Sequence, residues 1–142
     1  MSKKKSKNKK VRNATPLLYD GIKFKSKLEV YCYTKLKEND LIAPYEERTF
    51  VIIDAFVYNN EKVRKMTYTP DFVGIDYVIE CKGKANDAFP LRWKIFKHYL
   101  HKNNLNYKLY LPRNKKDVDA VIEDIKNRYN DRKTILQRKE SI

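Results

Sequence analysis

The chain has 142 residues, enough for one ordinary domain with little to spare for a second core. A hydrophobic content of 42%, with 13% aromatic, argues against disorder of the body, and no uninterrupted apolar run is long enough to span a bilayer. A formal net charge of +14 favours a polyanionic partner, nucleic acid before membrane. Only 3 Gly imply regular elements and few tight loops. Cys32 and Cys81 lack the spacing of a metal knuckle, which argues against zinc. Their plain reading is two buried thiols in a reducing compartment. With no signal peptide visible, the expected location is cytoplasmic.

Residues 1–13 carry Lys3, Lys4, Lys5, Lys7, Lys9, Lys10 and Arg12 with no acid. Such a run repels itself, so a disordered arm is expected, one that neutralises phosphates or serves only as a solubility tail. A short segment at 21–24 leads to Ser26, an N-cap with Glu29 at capping-box spacing. The helix it opens runs to about Glu38, with Phe24, Leu28, Tyr31, Cys32 and Leu36 as its apolar stripe. A turn and a strand fill 41–53, where Glu46 and Glu47 read as solvated charges at the start of the strand. Asn59-Asn60 signals a hairpin whose return, 63–69, delivers Pro70-Asp71. Pro70 has no N–H and belongs where a ladder ends.

Residues 69–83 read as two short strands joined at Gly74-Ile75-Asp76. The second, 77–82, alternates like a half-buried strand, with Glu80 and Lys82 on one face and Tyr77, Ile79 and Cys81 on the other. A hairpin therefore gathers Asp71, Glu80 and Lys82 at one end of a sheet, where hard carboxylate oxygens suit magnesium. Residues 84–87 form a polar loop, and Asp87 is placed to cap a helix over 89–102 with Pro90 in its first turn. Leu91, Ile95, Phe96, Tyr99 and Leu100 are expected on that helix's apolar side. Arg92, Lys94 and Lys97 read either as contacts to a nucleic-acid backbone or as a solvated face. His98 and His101 have helical spacing for a metal, but no third ligand is evident. A strand at 107–111, reached by the helix crossover, and a last helix over 117–129 complete the core. The charged tail beyond 130 extends that helix or frays. The expected class is α/β, a central mixed β-sheet flanked by helices, with a folded domain at 14–132 and a charged tail at 133–142.

Pro70-Asp71 followed by Glu80-Cys81-Lys82, the acids nine positions apart, matches the PD-(D/E)XK nuclease motif. "YTPDF", a short hairpin and "IECKG", with "FKSKLE" and "PYEE" upstream, resemble phage-type endonuclease I, a Holliday-junction resolvase. The likeness covers roughly residues 21–83 and does not extend to the 84–100 crossover or the last helix. It implies a restriction-endonuclease-like core, a Mg2+ cofactor with Mn2+ as substitute, and ligands from Asp71, Glu80, Glu29 and the backbone carbonyl of Cys81. Lys82 would orient or deprotonate the attacking water, or stabilise charge in the transition state. Glu29 then has two readings, a capping carboxylate or a third acid of the metal site. The implied reaction is phosphodiester hydrolysis of branched DNA to 5′-phosphate and 3′-hydroxyl by a homodimer, in the host cytoplasm if phage-encoded. Lys84, Arg92, Lys94, Lys97 and the basic arm would contact DNA. Three other readings stay open: a same-fold nuclease on duplex or flap DNA, a catalytically silent nucleic-acid-binding module, and an RNA binder using the 11 Tyr.

Overall fold

The computed structural model describes residues 16–84 and 88–140. The basic arm, with Lys3, Lys4, Lys5, Lys7, Lys9, Lys10 and Arg12, lies outside the described residues, as does the expected cap Asp87 with Ala85 and Asn86.

A hairpin not anticipated from the sequence comes first among the described residues. Strands β1 (Leu17–Tyr19) and β2 (Ile22–Phe24) pair antiparallel around Asp20-Gly21, both at positive φ. Helix α1 (Lys27–Glu38) follows at the expected bounds. Ser26 is its N-cap, and Cys32 and Leu36 are buried.

The next four strands form one excursion: β3 (Phe50–Ile53), β4 (Phe56–Tyr58), β5 (Glu61–Val63) and β6 (Met66–Tyr68). β3 pairs with β6 and β4 with β5, both antiparallel. Asn59 and Asn60 turn the tip at φ 47° and 62°, as a tight two-residue hairpin requires. The ribbon is not continuous. No strand forms at 54–55 or at 64–65, and the β3–β6 register shifts between Val51 and Ile53.

Beyond Pro70 lie β7 (Phe72–Val73) and β8 (Tyr77–Ile79), an antiparallel hairpin. Helix α2 (Phe89–Lys102) crosses over to β9 (Lys108–Tyr110), which joins β8 in parallel. The β8–β9 bonding continues past the strand ends, through Glu80 N–H to the Tyr110 carbonyl at 3.0 Å and Lys82 N–H to the Pro112 carbonyl at 2.9 Å. Helix α3 (Lys115–Glu140) runs through the charged tail expected to extend it or fray.

The fold is therefore mixed α/β with three helices, but its strands do not join into one central sheet. Among the described residues there are three antiparallel pairs and one three-stranded mixed sheet, β7-β8-β9. Pro70, fully buried between β6 and β7, has no N–H with which to carry a ladder across. β8 is not half-buried, since Tyr77, Val78 and Ile79 are all buried. Its two faces serve two cores. Tyr77 and Ile79 join Phe24, Cys32, Leu36, Phe72, Val118 and Ile122 on the α1–α3 side. Val78 joins Phe50, Tyr68, Trp93, Phe96 and Leu100 on the α2 side. Leu91, expected in that second core, is 63% exposed. It sits two residues from buried Trp93, roughly 200° around the helix, so Trp93, Phe96 and Leu100 set the packed stripe without it. No helix among the described residues is long and apolar enough to cross a membrane.

Tight turns are in fact frequent, built on Asp20, Asp40, Asn59, Asn60 and Asn104 at positive φ, since short polar side chains tolerate that region. Gly74 is needed for a different reason. A Cβ there would lie 2.2 Å from the ring of Tyr77, whose side chain is packed in the core. Gly74→Ala should cost about 1–3 kcal/mol by overpacking. Chemical denaturation with an unchanged midpoint would show that the hairpin absorbs the methyl group.

Candidate functional site

The β7–β8 register pairs Phe72 with Ile79, so one step further Asp71 faces Glu80. Here side chains replace the backbone ladder. Asp71 N–H donates to a Glu80 carboxylate oxygen at 3.0 Å, and Cys81 N–H donates to Asp71 Oδ2 at 2.8 Å. On the other flank a single antiparallel bridge joins Tyr45 to Phe72. That register sets Glu46 opposite Asp71, and Glu46 N–H donates to the Asp71 carbonyl at 2.8 Å. Directly opposed residues of antiparallel segments put their side chains on the same face. Asp71 therefore lies between two in-register glutamates.

The third acid comes from α1. Glu29 is buried, and its N–H donates to Ser26 Oγ at 3.2 Å while Ser26 Oγ donates to Glu29 Oε1 at 2.9 Å. Tyr45 Oη donates to the other oxygen, Oε2. The capping position thus holds the Glu29 carboxylate at the cluster instead of competing with it. Glu29, Glu46 and Asp71 each present an oxygen, all within 4.8 Å of one another. Glu46, expected as a solvated charge, is the acid that sequence reasoning missed. Its backbone is held at φ 48°, uncommon for a residue that is neither Gly, Asn nor Asp. Glu47 is exposed, as expected.

These groups line a cleft of ≈ 770 Å³ together with Glu80, Cys81, Lys82, Lys25, Tyr68 and Arg92. Glu80 borders the group of three without belonging to it. Cys81, expected to offer its carbonyl, meets Asp71 through its N–H. Lys82 Nζ lies 4.4 Å from the centre of the Phe89 ring. Lys25 pairs with Glu46 at 2.7 Å, and this partner raises the Lys25 pKa. Of the remaining basic residues, Arg92 reaches the cleft, while Lys84, Lys94 and Lys97 are exposed outside its lining. Lys97 lies over the Trp93 ring at 6.0 Å. Tyr68 is 4% exposed, and its hydroxyl makes no hydrogen bond of ordinary geometry although Glu80 is near.

Four carboxylates face three cations here. Burial, then the neighbouring Glu80 and Glu29, push Asp71 up to about 8. Burial likewise raises Glu80. Tyr45 and Tyr68 are raised first by burial, and of the two Tyr45 donates to a carboxylate, that of Glu29. The carboxylate oxygens, with an unpartnered buried hydroxyl beside them, fit a hard divalent cation better than a soft one. Cys81, whose thiol is raised by Cys32 and by burial, is no competing thiolate ligand.

A mixed α/β protein with a carboxylate-lined cleft is thus defined. Residues 5–116 match the family described as a protein of unknown function (DUF1064), and the chain belongs to that family. The match includes all the acids above and ends where α3 begins. No curated protein and no solved structure matches the chain.

In chelator, the folded chain keeps a proton on Asp71 that the unfolded chain releases between its ordinary 3.8 and about 8. This carboxyl's contribution is complete at the acid end and is lost as pH rises through that window. The melting temperature of the parent should therefore fall relative to that of Asp71→Asn from about pH 4 to pH 8. Parallel curves would mean that Asp71 ionises freely in the fold.

Proposed function

We propose that this chain is a divalent-cation-dependent endodeoxyribonuclease of the PD-(D/E)XK type. The observation that carries the reading is the gathering of Glu29, Glu46 and Asp71 within 4.8 Å at a ladder end bordered by Glu80 and Lys82. The motif residues Pro70, Asp71, Glu80 and Lys82 support it from sequence. The mixed sheet β7-β8-β9, with α2 on one side and α1 and α3 on the other, supports a restriction-endonuclease-like core.

The residues suit Mg2+, with Mn2+ as substitute, held by Asp71, Glu29 and Glu46, with Glu80 alongside. A bound cation supplies Lewis-acid polarisation of a phosphoryl oxygen. The chain's own groups do the rest. Cys81 N–H fixes the Asp71 carboxylate, and Ser26 and Tyr45 fix Glu29. Lys82 brings three donors and a positive charge toward the phosphate, where negative charge develops during attack by water. Arg92 contacts a neighbouring phosphate, with Lys84, Lys94 and Lys97 extending the footprint. Water loses a proton to solvent as its oxygen adds to phosphorus, the bond to O3′ breaks, and that oxygen takes up a proton from solvent, leaving a 3′-hydroxyl and a 5′-phosphate. The likeness to endonuclease I favours four-way junctions and other branched DNA, and their paired scissile points favour a symmetric dimer.

A second reading has its own support. Asp71 and Glu80 each satisfy a backbone N–H, and Glu46 has Lys25, so the acids also serve as a structural closure of the ladder end in a silent binding module. One assay separates the two. With Mg2+, the parent should cut a four-way junction, and Asp71→Ala or Lys82→Ala should lower the rate at least 100-fold while junction binding persists. Parent protein that neither cuts in Mg2+ or Mn2+ nor changes its melting temperature with either ion would overturn the nuclease reading. Sedimentation at micromolar concentration should report a dimer. Monomer alone, with and without DNA, would remove the symmetric cut.

A further inference from the structure

We infer that the β4–β5 hairpin is a branch-reading element, whose Phe56 and Tyr58 stack on bases left unstacked where nucleic-acid arms diverge. This rests on the nuclease reading and adds to it the part of the chain that selects the substrate.

Residues 53–62 are exposed without a break. Phe56, Val57 and Tyr58 are 49%, 67% and 66% exposed, three apolar side chains in a row on a two-stranded projection. A lone hairpin is marginal in water, and exposed apolar edges are a hazard that chains avoid unless a partner uses them. Phe56 lies across from Val63 and Tyr58 from Glu61, so both rings share one face, while Val57 and Lys62 share the other.

Position and charge select the partner. The ribbon returns from its tip through β6 directly into Thr67, Tyr68 and Thr69 of the cleft lining. Thr67 and Asn60 are seven residues apart, a reach of at most roughly 25 Å along the chain. The tip is therefore within a few nucleotides' reach of the cleft lining along the chain. Lys62, Arg64 and Lys65 outnumber Asp54 and Glu61 on the projection. Helix α2, packed on β3 through Phe96 against Phe50, carries Arg92, Lys94, Lys97 and Lys102 and no acid. A second copy of this chain would bring the same cations against these. A polyanion satisfies the basic flanks, and a base face satisfies the aromatic tip. Continuous duplex offers no free base face; a junction, a flap or a frayed end does.

The experiment is fluorescence anisotropy of the full chain in chelator, with a labelled four-way junction and a linear duplex of matched sequence. The parent should prefer the junction. Phe56→Ala with Tyr58→Ala should weaken junction binding roughly 5- to 150-fold per stacked base while duplex binding and its salt slope stay unchanged. Phe56→Tyr and Tyr58→Phe, which keep the rings, should restore the preference. Both side chains are exposed, so the melting temperature should hold. Equal losses on both DNAs would make the hairpin a backbone clamp, and no loss on either would make it a bystander; each overturns the inference while leaving the nuclease reading intact. A dimer that dissociates in the alanine variant would make the occupant a second copy and overturn it as well. A parent that binds neither DNA would defeat the nuclease reading itself.

Discussion

The structure turns on the place where the β7–β8 ladder stops being backbone. At Phe72 and Ile79 the strands still pair through main-chain groups. One residue on, the Asp71 N–H finds a glutamate side chain and the Cys81 N–H finds an aspartate side chain. Pro70, lacking a donor, prevents the ladder from resuming. Two carboxylates are thereby fixed by two amides, so they cannot relax into solvent when their charges repel. Their anchorage is the doubly buried pairing beneath them, where Phe72, Val78 and Ile79 are each 0% exposed. An uncompensated buried charge is costly, and two answers exist: a proton on Asp71 or a cation shared by the acids. Both act on the same electrostatic deficit, so proton and cation must compete.

The cluster also ties the two cores together. Glu29 arrives from α1, whose Cys32 and Leu36 belong to one core, while Tyr68 belongs to the other. Tyr45 packs on the first of these cores, its ring 4.5 Å from Phe24 and 5.5 Å from Phe72 by centroids, and puts its hydroxyl on Glu29. Glu46 follows it at positive φ, the one such residue in the described chain that is neither Gly, Asn nor Asp. Elsewhere that conformation makes turns with residues suited to it. At Glu46 the backbone bears it while bonding to Asp71 and carrying a carboxylate into the group, so the strain sits where the acids meet.

What was legible in the sequence was local. Ser26 and Glu29 gave the start of α1, Asn59-Asn60 the tip of the ribbon, and Gly74-Ile75-Asp76 the turn that sets Asp71 against Glu80. The crossover through α2 to β9 followed from a helical stripe between two apolar runs. Illegible were the partners chosen across distance. Nothing in the spacing of Tyr45-Glu46 announces a bridge to Phe72, because Tyr45 is placed by rings far off in sequence, Phe24 of β2 and Phe72 of β7. For the same reason Glu46 resembled Glu47 in the sequence, and only the fold separates a half-buried cluster acid from an exposed one. The single central sheet failed similarly: the β1–β2 hairpin was not visible at all, and the breaks at 54–55, 64–65 and Pro70 divide the later strands into two pairs and the three-stranded β7-β8-β9.

Charge is distributed in opposition to itself. A chain of formal net charge +14 encloses a cleft whose carboxylates outnumber its cations. The long-range field of such a surface draws polyanions and speeds their encounter, but that field is screened over roughly 8–10 Å of physiological salt. Inside the cleft the local acids govern as they ionise, and in the proposed function a phosphate arriving there would meet repulsion from them. In the proposed function a divalent ion reverses that local sign, so attraction to the surface and admission to the cleft are controlled separately. Lys25 sharpens the separation. It already neutralises Glu46 at 2.7 Å from an exposed position, so in the proposed function an incoming cation would displace an exposed side chain and not a buried one. Such an exchange would leave the buried Asp71 and Glu29 in place and return a free ammonium to the rim where a phosphate backbone would pass.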